Sequence, residues 1–104
     1  MQESLVTKLQ AGQTVTFRPH GNSMTPRIRS GQRVTVEPIQ PSLIKTGDMG
    51  EGDVVLARVR GVLRLHLITA VDDAKFRVQI SNAHGHINGW CGYDKVYGIC
   101  VAVE

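Results

Sequence analysis

Val54-Val55-Leu56-Ala57-Arg58-Val59, then Arg60-Gly61, then Val62-Leu63-Arg64-Leu65-His66-Leu67-Ile68-Thr69-Ala70-Val71 is the stretch that decides the fold. Two apolar runs rich in β-branched residues, separated by a two-residue turn with Gly second, read as a β-hairpin. In the second arm a period of two puts Leu63, Leu65, Leu67 and Val71 on one face. Arg64 and His66 fall on the other, with Val62 and Ile68. His66 is thereby predicted on a rigid strand, turned away from the leucines toward a polar side.

The same period extends outward from the hairpin. Gln13 to Arg18 alternates, with Val15 and Phe17 on one side, and Arg33-Val34-Thr35-Val36-Glu37 repeats the pattern. Lys75 to Ile80 alternates with Phe76, Val78 and Ile80 inward, and Val96 to Val103 closes the chain as a strand in which Gly98 marks a bulge or bend. Leu5, Val6 and Leu9 have helical spacing over residues 3 to 10, and Gly12 sits where a helix stops. The segment from Ile39 to Glu51, which includes Lys45 and Thr46, has Pro and Gly but no period and reads as a surface loop. Ser81 to Trp90 reads as a polar loop ending in an aromatic, with Trp90 at a core edge or groove wall. Short strands, frequent turns and little helix predict a mainly β, barrel-like single domain over residues 1–104.

Composition narrows the functional classes. The chain has 104 residues, 41% of them apolar and 20% charged, as expected of one folded domain. Its apolar runs are too short for a membrane-spanning helix. Met1-Gln2-Glu3-Ser4 lacks the basic-then-apolar design of a secretory signal, so no membrane anchor and a cytoplasmic location are expected. Cys91 and Cys100 make no disulfide framework and read as reduced, partly buried residues. The formal charge of +3 includes Arg18, Arg27, Arg29 and Arg33 around one turn. That cluster reads as a solvated face rather than a nucleic-acid surface.

The turn in question is Gly21-Asn22-Ser23-Met24-Thr25-Pro26, built of ordinary turn residues. Its serine is the candidate nucleophile. A serine hydroxyl needs a base in hydrogen-bonding reach and donors for a developing oxyanion. His20, His66, His84 and His86 are the imidazoles, and Lys8, Lys45, Lys75 and Lys95 the amines. His20 is near in sequence, whereas His66 is on a strand. His84-Gly85-His86 would bind a metal only with a third ligand and reads as a polar loop, so neither metal nor other cofactor is expected.

These residues carry a resemblance to the S24/S26 peptidase superfamily, the signal peptidases and self-cleaving SOS-repressor domains. Gly21 to Pro26 resembles the G-x-S-M-x-P nucleophile box, Gly31-Gln32-Arg33-Val34-Thr35-Val36 the strand after it, and Gly52-Asp53-Val54-Val55 the G-D-V-V box. Ser81-Asn82, Asn88-Gly89-Trp90 and Val96 to Val101 resemble the closing segments. The resemblance runs from about residue 5 to the end. It implies coiled antiparallel sheets, Ser23 as nucleophile within a loop formed by Gly21, Asn22, Met24 and Pro26, and the Ser23 N–H in the oxyanion hole. The base falls on His66, where bacterial signal peptidases and repressors have Lys and the endoplasmic-reticulum-type enzymes have His. Ser81-Asn82-Ala83-His84 carries no carboxylate where the His-type members have acidic residues, so Asn82 or Asn88 is expected to orient the imidazole. The implied activity is peptide hydrolysis through an acyl-enzyme, on an extended peptide or protein substrate bound along a strand edge. The alternative is an inactive peptide-binding module or a homodimerisation module of the same fold.

Overall fold

The structure is a computed structural model that describes residues 3–44, the backbone of residue 45, and residues 47–104. Met1, Gln2, Thr46 and the Lys45 side chain lie outside the described residues. Helix α1 (Glu3–Gln10) is followed by strands β1 (Val15–Phe17) and β2 (Val34–Pro38), a short helix α2 (Ser42–Lys45), and the hairpin β3 (Val54–Val59) and β4 (Val62–Asp72). Strands β5 (Arg77–Ser81), β6 (Ile87–Gly92) and β7 (Val96–Val103) complete the chain.

The predicted hairpin is present, with Val59 opposite Val62 and Val55 opposite His66. Arg60 and Gly61 both take positive φ, 50° and 79°, the geometry of a type I′ turn whose twist matches the flanking strands. All seven strands join one antiparallel sheet in the order β1-β2-β7-β3-β4-β5-β6.

The sheet coils without closing, which corrects the barrel expectation. Its flanking strands β1 and β6 pair only with β2 and β5, and α1 packs against β1, β2 and β7. The coil nonetheless brings β6 back over β3. A side chain at Gly89 would meet Val59 Cγ1 at 3.3 Å and Arg60 Nε at 3.1 Å.

Strand β3 is buried on both faces because each faces a different core. Val55, Ala57 and Val59 join Ile44, Met49, Ile68, Val78, Ile80, Cys91, Tyr93 and Val96. Val54 and Leu56 join Leu5, Leu9, Val15, Met24, Ile28, Val34, Val36 and Leu65. A strand between two cores needs the near-continuous apolar run that β3 has.

Several other expectations are corrected. The segment predicted as a featureless loop contains α2, and it sends Ile44 and Met49 into the first core. Strand β6 begins inside the predicted 81–90 loop, leaving only Asn82 to His86 outside strands. Phe76, predicted inward, is in a turn at φ 51° and is half exposed, with its ring edge-on to Tyr93. Val71 leaves the leucine face. A bulge between Ile68 and Ala70 inserts Thr69 without a partner, so Val71 packs with Ile68 against the first core. Trp90 is exposed, with the Arg77 guanidinium stacked 4.6 Å from its ring centroid. Cys91 and Cys100 are both free, in agreement with the expectation, and burial pushes the Cys91 thiol up to about 11.

Candidate active site

The segment between β1 and β2 carries Ser23 and is fixed at several points. Met24 and Ile28 sink into the core beneath α1, and the Ile28 N–H donates to the Met24 carbonyl at 2.9 Å. The Gly31 N–H donates to the Pro19 carbonyl (2.9 Å), closing the base of the loop, and the Gly21 N–H donates to Ser30 Oγ (3.1 Å). Gly21 has φ of 111°, in the region that L side chains rarely enter. The Thr25–Pro26 peptide is cis. Met24 points inward, leaving the adjacent Ser23 exposed.

His66 arrives from β4. Its Nε2 is 3.0 Å from Ser23 Oγ, and its Nδ1 is 2.6 Å from Asn88 Oδ1. The amide oxygen accepts the Nδ1 proton, so the neutral ring presents an unprotonated Nε2 to the serine hydroxyl. His66 is turned away from the leucine face toward polar partners, as predicted, but the side it faces is not open to solvent: His66 is only 6% exposed. Burial depresses its pKa below the ordinary value of 6.5; the Asn88 hydrogen bond opposes this, while the charges of Arg64 and His86 add to it. A buried neutral imidazole bonded through both nitrogens can take a proton from the hydroxyl while its tautomer stays fixed.

Asn88 reaches the ring through an irregularity in the sheet. Ile80 pairs with Gly89 and Ser81 with Ile87, so Asn88 is the unpaired residue of a bulge in β6. Such a bulge re-aims one side chain out of the strand's alternation. Asn82, the other expected orienting residue, does not touch His66. Its Oδ1 accepts the His84 and His86 N–H groups, each at 2.9 Å, and shapes the turn between β5 and β6.

That turn also holds the serine loop, by contacts the sequence did not reveal. The Ala83 N–H donates to the Ser23 carbonyl at 2.9 Å. His84 Nε2 lies 3.0 Å from the Asn22 carbonyl and 3.1 Å from Thr25 Oγ1, and Thr25 Oγ1 donates to the same carbonyl at 2.9 Å. A carbonyl can only accept, so His84 carries its proton on Nε2. His84 therefore braces the residues on either side of Ser23. Its separation of 59 residues from Thr25 gives no local signal of this.

Beside the serine and the imidazole lies a cavity of about 180 Å³. Met24, Ile28, Leu63 and Leu65 form its apolar wall, and His20 and Arg64 also line it. The arginine cluster is largely engaged elsewhere. Arg18 donates to the Gly31 carbonyl, Arg27 to the Gly52 carbonyl, and Arg33 pairs with Glu104. Among the described residues no group of three or more His, Cys, Asp or Glu side chains is arranged to hold a metal ion, and no helix is long and apolar enough to cross a membrane. No protein-family model, curated protein or solved structure matches this chain.

Proposed function

We propose that the protein is a serine peptidase in which Ser23 is the nucleophile, His66 the general base and Asn88 the group that orients the imidazole. The observation that carries this reading is the 3.0 Å contact between Ser23 Oγ and an imidazole already held from its far side. Ser23 Oγ attacks a peptide carbonyl while His66 Nε2 takes its proton. The tetrahedral intermediate then collapses, the C–N bond breaks and Nε2–H protonates the leaving amine. Water, deprotonated by the same nitrogen, hydrolyses the acyl ester and returns the proton to Ser23.

The Ser23 N–H makes no hydrogen bond among the described residues, which leaves it available to the oxyanion. The apolar wall formed by Met24, Ile28, Leu63 and Leu65 suits an aliphatic side chain next to the scissile bond. The architecture is in keeping with a coiled-sheet peptidase of the signal-peptidase and SOS-repressor type.

A fluorophosphonate probe and a peptide library test this reading. Wild type is expected to acquire one covalent adduct, at Ser23, and to cleave peptides. Ser23→Ala is expected to do neither. A wild-type protein that binds peptides but neither labels nor cleaves them would instead be a peptide-binding module.

The buried base also sets a pH dependence. His66 must be neutral to act, and its pKa lies below 6.5. The acid limb of activity is therefore displaced to lower pH than an unperturbed imidazole would give. Asn88→Asp would place a carboxylate against Nδ1, favour the imidazolium and raise that pKa. The acid limb of kcat/KM in this variant is expected to move to higher pH by about one unit, as read from a pH–rate profile.

A further inference from the structure

Arg64 differs from most arginines of the chain in having no partner among the described residues. Arg33, Arg58 and Arg77 pair with Glu104, Glu3 and Asp72, and Arg18 and Arg27 donate to backbone carbonyls. Arg64 makes no ion pair and no side-chain hydrogen bond among the described residues, although it is only partly exposed. It lines the same cavity as Ser23 and His66, two residues before His66 on β4. No Asp or Glu lines that cavity. An arginine on a strand beside a space without carboxylates offers guanidinium donors to a ligand that enters it.

From this placement, and resting on the peptidase reading above, we infer that Arg64 is a specificity determinant and that the preferred substrate is an acidic peptide, with a carboxylate next to the scissile bond. The acceptor is the carboxylate of an Asp or Glu side chain or the peptide's own α-carboxylate; the chemistry recognised is the same. Pairing also serves the reaction. As His66 accepts the serine proton it becomes a cation close to Arg64, and the two charges repel. A substrate carboxylate on Arg64 neutralises that repulsion as the imidazolium forms, so part of its effect falls on kcat and not only on KM. An uncharged substrate leaves the penalty in place. The apolar wall and the cation then divide the work, one holding an aliphatic side chain and the other a carboxylate nearby.

The test compares C-terminally amidated peptides carrying Asp or Glu at successive positions, their Asn or Gln counterparts, and neutral peptides with a free α-carboxylate. Wild type is expected to turn over the acidic peptides with kcat/KM about ten- to a hundredfold higher, the range for a charge-assisted hydrogen bond. The arm that shows the preference identifies which carboxylate is read. Arg64→Gln should abolish the preference, and Arg64→Glu should reverse it in favour of peptides with Lys at the same position. Fluorophosphonate labelling of Ser23 in all three proteins, with an unchanged charge preference in Arg64→Gln, overturns the inference and leaves the peptidase reading standing. If no protein is labelled, the peptidase reading falls. The affinities of the same peptides for Ser23→Ala and for Ser23→Ala/Arg64→Gln then decide the matter. An acidic preference that vanishes with Arg64 upholds carboxylate recognition, and one that persists or never exists overturns it.

Discussion

His66→Ala is expected to lower kcat for peptide hydrolysis by about 10⁴-fold with little change in KM. The imidazole matters only once the serine proton begins to move, so its loss falls on the transition state rather than on binding. His84 is committed to the Asn22 carbonyl and so is not free to replace it. The double variant Ser23→Ala/His66→Ala should be no slower than either single one, because the two side chains act as a unit. Since His66 is buried, His66→Gln serves as a control of similar size. It should melt closer to wild type than His66→Ala does, yet be equally inactive. A His66→Gln protein with near-wild-type turnover would exclude His66 as the base.

Gly98→Ala is expected to lower stability by about 3 kcal/mol, a fall in melting temperature of about 12 to 24 °C for a domain of this size. A Cβ at Gly98 would stand 2.6 Å from Val36 Cγ1, 2.7 Å from the Glu37 carbonyl oxygen and 3.2 Å from Leu9 Cδ2. The carbonyl is backbone and cannot turn aside, so β2, β7 or α1 must shift. Gly98 also lies where β7 is paired on both sides, with Pro38 of β2 and Leu56 of β3, and no edge is free to absorb the movement. Thermal unfolding followed by circular dichroism measures the effect. A melting temperature within a few degrees of wild type would mean that β2 and β7 do not approach so closely.

The hairpin was legible in the sequence because alternation of this length is a local property, and so was the strand that holds His66. Helix α1 was legible for the same reason. What failed depends on single irregularities of the backbone. Phe76 belongs to an alternating hexapeptide, but a positive φ turns it out of the strand, and one extra residue at Thr69 reverses the facing of Val71. Neither event leaves a mark in residue type. The site divides in the same way. The resemblance singled out Ser23 and His66, which are 43 residues apart and meet in the fold. The choice between Asn82 and Asn88 lay beyond it. Both are amides in the same region, and only the skipped pairing opposite Ile80 and Ser81 aims one of them at the ring. The brace from His84 and the unpartnered state of Arg64 are relations between distant segments, which no spacing rule carries.

The double-faced β3 bears on the site in one further way. Ser23 rides on a loop seated by Met24 and Ile28 in the core beneath α1. His66 points from the face of β4 that carries Ile68 into the opposite core, and Asn88 comes from the strand that covers that core. The 3.0 Å gap between hydroxyl and imidazole is thus a gauge of how the two halves of the molecule sit across their shared wall. In the proposed peptidase, slippage of about 1 Å in either half would cost about two orders of magnitude in rate. Pressure on the outer surface of either core, far from Ser23, would therefore act as a throttle on the chemistry while touching none of its groups.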